Sequence, residues 1–329
     1  MLSLFRTNQL ILGIFLLAYA LLLRFWILFD LGAPTRGTDF PLLSGWVLEK
    51  MGDSDWWSAL TALLFLWIQA LLINSMVASN RMASEINLFP GLFYILVGSA
   101  IPAFQVLSPF LLANTFLIIS FGQLIKVYRQ NRCMDHLFNA GFFIGVASLF
   151  YAPYILFLLP VLIGLNILRA FNSREWMAVL LGGALPLLWL LIIGFLTDHM
   201  ASYWQEWLAT FGFLDTDFRA MNGMAVGSMI IIGLAVISVL AGYGANMQKT
   251  IIEVRKKIDI QYWLLFFALI VTIFSSHLSL SHLMILAPMT GILLSFQFTR
   301  MARATAEIVH LLLVIVVLLF HYLVYSGQL

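Results

Sequence analysis

Apolar residues in this chain come in long, nearly unbroken runs separated by short polar clusters, not in the one-sided stripe of a helix that packs on a water-soluble core. Eleven runs read as bilayer spans, at 8–29, 57–78, 88–104, 107–127, 137–151, 153–168, 176–196, 223–244, 262–275, 278–298 and 308–324. Several are shorter than the roughly 20 residues that cross a bilayer upright. The pattern predicts an all-α, polytopic transmembrane bundle of about eleven spans, forming a single transmembrane domain over 1–329. Composition agrees, since 62% of residues are hydrophobic and 10% are charged, whereas a soluble domain carries roughly 25% charged residues.

Threading the spans alternately sorts the cations. With Arg6 inside, the inner loops collect Arg81, Lys126, Arg129, Arg132, Arg169, Arg174, Lys249, Arg255, Lys256, Lys257, Arg300 and Arg303, making 13 of the 17 basic residues. The positive-inside rule therefore selects an N-in, C-out orientation. The net charge of +2 is then a topology signal and implies no nucleic-acid partner. Ala18, Tyr19 and Ala20 mimic a signal-peptidase site, but the apolar run continues past them and reads as an uncleaved span. The single cysteine, Cys133, excludes an internal disulfide and a cysteine-built metal site.

Two outer loops, 30–56 and 198–222, are long where the other connections are tight; they are the first and fourth outer loops and form the extracytoplasmic face. In the latter, Met200, Tyr203, Trp204, Trp207, Leu208 and Phe211 recur at helical spacing opposite Gln205 and Glu206, which predicts an amphipathic helix in the outer leaflet. Leu43, Trp46, Val47 and Met51 give a weaker copy in the first loop. Nine of the fifteen acidic residues also fall outside, so any chemistry faces that side.

Asp39 follows Thr35, Arg36, Gly37 and Thr38, a turn on which a carboxylate is placed to accept a proton or hold a divalent ion; a solvated loop carboxylate or helix cap is the plainer reading. Arg24, in the outer half of the first span, must snorkel outward or meet an anionic partner such as Asp30, Asp39 or a lipid phosphate. The turn from Ser275 to His282 gathers His277, His282 and four serines, a set suited to donating to a phosphate, ligating a metal, or simply remaining hydrated. His310, His321 and His136 read as structural, and Asn114, Gln123, Asn139 and Asn166 as interhelical hydrogen-bond formers. There is no phosphate-cradling loop, dinucleotide fingerprint or paired zinc-protease histidine motif.

The stretch LFNAGFFIGVASLFYAPYILFLLPVLIGLNILRAFNSREWMAVLLGGALPLL, residues 137–188, resembles the middle of the GT-C superfamily of integral membrane glycosyltransferases, where a glycine-rich and a proline-bearing helix form a hairpin. SLSHLMILAPMTGILLSFQF, residues 279–298, is similar to that superfamily's late helix, with His282 and Pro288 as its polar and proline positions. The resemblance implies transfer of a sugar from a polyprenyl-phosphate donor at the outer face of the bacterial cytoplasmic membrane. On that footing Asp39 is base or metal ligand, and Arg24, His282 and His277 contact the donor phosphate. Phe40 stands where many members have a second acidic residue, and His282 where arginine is commoner. These departures bring in a non-catalytic alternative: a membrane subunit binding lipid, or a partner such as a small membrane protein, in an envelope-assembly or secretion complex. The chain also resembles uncharacterised inner-membrane proteins of Bacteroidota. A transporter or flippase ranks third, because the spans are nearly free of charge.

Overall fold

The computed structural model describes residues 2–6, 10–25, 42–50, 55–83, 85–130, 132–212, 222–247, 250–274 and 279–328. Among them all regular structure is helical. A 3-10 segment, Leu2–Arg6, precedes α1 (Leu10–Leu23), α2 (Leu42–Lys50), α3 (Asp55–Ser79) and α4 (Phe89–Val97). After a 3-10 turn at Pro102–Phe104 come α5 (Pro109–Lys126) and α6 (Met134–Phe150). The 3-10 segment Ala152–Phe157 runs directly into α7 (Leu158–Leu168), followed by α8 (Ser173–Leu196), α9 (Met200–Ala209), α10 (Gly223–Ala241), α11 (Tyr243–Met247) and α12 (Ile252–Ile273). A last 3-10 segment, Leu280–Leu286, leads into α13 (Ala287–Arg300), and α14 (Arg303–Tyr325) closes the order.

Six helical stretches among the described residues are long and apolar enough to cross a membrane: Trp56–Ser79, α5, α8, α10, Leu280–Arg300 and α14. Three shorter apolar stretches, Gly13–Leu23, Met134–Phe150 and Ala152–Leu168, fall below that length. The run at 88–104 is broken: α4 stops at Val97, and Pro102, which has no N–H to donate to the preceding turn, starts a separate 3-10 turn. Conversely, α12 starts ten residues before the predicted span, because the charged stretch from Ile252 to Gln261 is helical.

Burial divides the helices into a core and a rim. The Leu280–Arg300 stretch is 78% buried and α5 67%, against 28% for α8, 22% for α10 and 28% for α14. A helix that is apolar throughout yet buried on one side only requires an apolar solvent for the other.

The closest helix contact joins α6 to α8 and rests on glycine. A Cβ on Gly141 would lie 2.0 Å from the Val179 carbonyl oxygen, one on Gly145 2.4 Å from that of Gly183, and one on Gly182 2.2 Å from that of Phe138. Gly141 and Gly145, four residues apart on α6, thus let the two backbones touch, as small residues do between helices in lipid. Local caps set the ends: Ser108 accepts from the Leu111 N–H at 3.3 Å ahead of Pro109 in α5, and Asn222 accepts from the Ala225 N–H at 3.0 Å in α10.

Candidate functional site

A helix forms in each of the two long loops; α9 is amphipathic as expected, whereas α2 gathers no apolar face and buries Ser44 while Leu43 and Trp46 are exposed. The Trp207 indole N–H of α9 donates to the Ser148 carbonyl at 3.0 Å, and the Ser44 hydroxyl of α2 donates to the Phe150 carbonyl at 3.4 Å. The last turn of α6 therefore anchors a helix from each long loop. Trp207 is buried and stacks on the more exposed Trp204 with ring centroids 5.2 Å apart.

The chain then turns at Tyr151, which brings in His282. The Ser279 hydroxyl and His282 form a reciprocal cap on the 3-10 segment, with the Ser279 N–H donating to Nδ1 at 3.1 Å. An N–H can only donate, so in this geometry Nδ1 accepts and the ring proton sits on Nε2, 3.2 Å from the Tyr151 hydroxyl. The Phe110 ring lies 4.2 Å from the imidazole centroid and the Tyr151 ring 5.4 Å, enclosing a histidine only 7% exposed. Beneath it, Tyr154 donates to Asn114 Oδ1 at 2.8 Å, and Asn114 Nδ2 donates to the Met284 carbonyl at 2.8 Å.

Arg24 neither snorkels nor faces an open cavity. It is 1% exposed. Its Nε donates to Ser99 Oγ at 3.1 Å, one terminal nitrogen to the carbonyls of Gly98 at 2.9 Å and Phe104 at 2.8 Å, and the other to that of Gln105 at 3.4 Å. The broken third run explains this: where α4 ends and the 3-10 turn begins, backbone carbonyls lose their helical donors, and a forked cation fills the gap. Tyr325, at the end of α14, donates to Gln105 Oε1 at 2.8 Å and ties the last helix to the same stretch. Among the described residues the partners of Arg24 are three backbone carbonyls and a serine.

Asp39 and His277 lie outside the described residues. Asp39 stands three residues before the start of α2 in sequence. Among the described residues no group of three or more His, Cys, Asp and Glu converges. Sequence reasoning missed Ser99, Gln105, Tyr151 and Tyr154; the Gly98–Pro102 break was the available signal for the first two.

Gln123, Asn166 and His310 pair with other side chains, whereas among the described residues no hydrogen bond is seen for Asn139, and both side-chain polar atoms of buried Gln261 lack a partner. Gln123 Oε1 lies 2.8 Å from His136 Nδ1, Asn166 Oδ1 accepts from the Trp176 indole at 3.2 Å, and His310 Nε2 lies 3.0 Å from the Tyr19 hydroxyl. His321 Nδ1 lies 2.8 Å from the Val317 carbonyl and donates to it.

These features define an α-helical membrane protein with a polar corner where α6, the His282 segment, α2 and α9 meet. Within that class the chain belongs to the Family of unknown function (DUF6427), whose model matches residues 40–327. No curated protein and no solved structure matches it.

Proposed function

We propose that the chain is a non-catalytic membrane subunit of GT-C-like architecture. In this reading it crosses the bacterial cytoplasmic membrane eleven times, N-in and C-out, and binds lipid or a partner in an envelope-assembly or secretion complex. One observation carries the proposal: the guanidinium that a donor phosphate would need is closed off, its donors committed to Ser99 and to the carbonyls of Gly98, Phe104 and Gln105. A cation already bound to carbonyls in a buried site is a structural staple, and freeing it for a phosphate would leave those carbonyls unpaired. The wide apolar faces of α8, α10 and α14 supply surface for lipid or a partner helix.

A polyprenyl-phosphate-dependent glycosyltransferase is the second reading, favoured by the corner itself. Ser44 of α2 is bonded to Phe150, and the next residue, Tyr151, holds His282. Helix α2, which follows Asp39 by three residues in sequence, is thereby anchored beside an imidazole suited to a leaving phosphate. The discriminating assay incubates the full chain in lipid nanodiscs with a labelled polyprenyl-phosphate sugar and a membrane extract as acceptor. The expected result is no donor turnover above heat-inactivated protein, with Asp39→Asn indistinguishable from wild type. Release of polyprenyl phosphate that Asp39→Asn abolishes would establish the transferase instead.

A further inference from the structure

At the opposite end of the molecule, the 3-10 segment Leu2–Arg6 is tied into the bundle. Leu2 and Phe5 are buried, the Phe5 carbonyl accepts from the Leu88 N–H at 2.9 Å, and the Arg6 guanidinium lies 5.9 Å from the Phe89 ring centroid. This holds Arg6 beside the first turn of α14. Between the two elements is a cavity of about 220 Å³ lined by Leu2, Arg6, Arg303, Ala306 and Glu307. Two arginines from opposite ends of the sequence therefore line one cavity, opposed by the single carboxylate of Glu307.

The surroundings narrow the occupant. Ile308, Leu311, Leu312 and Ile315, which follow the cavity along α14, are all exposed apolar residues. A basic cavity rimmed by an apolar helix face matches an amphiphile with an anionic head and aliphatic tails, and not a free ion, which gains nothing from the apolar face. The loop charges place this end on the cytoplasmic side.

We propose that the cavity seats the headgroup phosphate of an anionic glycerophospholipid of the inner leaflet, held by Arg6 and Arg303, with its acyl chains along α14. This site is separate from the His282 corner but rests on the same N-in orientation proposed above. The test measures binding of phosphatidylglycerol and of phosphatidylcholine to the detergent-purified full chain by native mass spectrometry. Wild type should prefer phosphatidylglycerol, and Arg6→Gln/Arg303→Gln should weaken that lipid roughly 30-fold, at the energy typical of a basic side chain near an anionic surface.

Because Arg6 also packs on Phe89, Arg303→Gln alone is the second variant: it removes an exposed side chain and should cost roughly fivefold. Lys126→Gln/Arg132→Gln removes the same charge from another inner loop and should leave binding unchanged. Equal loss in that control, or a preference in Arg303→Gln undiminished from wild type, would overturn the site. Displacement of the lipid by excess inorganic phosphate would also overturn it, by showing a soluble-phosphate site in its place.

Discussion

Replacing Arg24 with methionine tests the staple directly. The substitution keeps a long apolar stem and deletes the guanidinium, breaking the three shorter bonds, to Ser99, Gly98 and Phe104, at 2.8 to 3.1 Å. Hydrogen bonds to a charged group contribute about 1.5–3 kcal/mol each, so the loss is about 4.5–9 kcal/mol before any compensation. Removing a charge from the bilayer returns about 2.5–3.5 kcal/mol at mid-membrane and less near the interface. The net cost is then about 1–6.5 kcal/mol, centred near 4. Cys133, the one cysteine of the chain and 2% exposed, supplies the probe: a fluorogenic maleimide reports unfolding in detergent as the thiol becomes accessible on heating. Arg24→Met should unfold several degrees below wild type. Arg24→Lys should fall between, because an ammonium keeps the charge but not the fork that reaches both sides of the break. An Arg24→Met chain that unfolds at or above the wild-type temperature would refute the staple and return Arg24 to the pool of ligand-binding groups.

The same assay reads three further perturbations. Gly141→Ala places a methyl 2.0 Å from the Val179 carbonyl and should force α6 from α8 with a large loss of stability, whereas Gly233→Ala, with nothing within 4 Å, should be neutral or slightly stabilising. Similar midpoints for the two would disprove the glycine contact. Tyr154→Phe leaves Asn114 Oδ1 without its buried donor and should cost about 1–2 kcal/mol; an unchanged midpoint would show that the bond does not contribute. In the native state, burial and then the nearby Glu175 carboxylate push the Cys133 thiol above its ordinary range, so alkylation should be slow near neutral pH and accelerate as pH rises. Glu175→Gln removes a negative charge, lowers the thiol pKa and should shift that rate profile to lower pH; an unmoved profile would mean that access, not ionisation, limits the reaction.

Helices were legible in the sequence where apolar runs are free of backbone interruptions. The runs at 107–127, 176–196 and 223–244 correspond to α5, α8 and α10 within a few residues. Hydropathy failed where it counts side chains and ignores donors: 88–104 scores as one span, yet Gly98 and Pro102 divide it. It failed again at α12, whose basic first turns end the apolar run without ending the helix. Arg24 stood out as a charge in an apolar run, but its partners lie 74 to 81 residues away, a separation at which one sequence gives no pairing signal. Its neighbours up to Gln105 read as apolar span, so the unpaired carbonyls that attract it were hidden by the misread break.

That break also bears on where chemistry would sit if this chain has any. A buried arginine in a membrane protein ordinarily invites a functional reading. Here the cost of burying the charge is offset by carbonyls that would otherwise be orphaned, so each irregularity satisfies the other and neither needs a ligand. His282 differs in kind. Its Nδ1 is fixed by the Ser279 cap, while its Nε2 proton faces a tyrosine hydroxyl, a group that can accept, donate or exchange its partner. The Tyr151 turn also joins α2, and so the first outer loop, to the late helix. Arg24 thus holds a backbone break, whereas His282 and Tyr151 bond side chain to side chain where α2 meets the late helix.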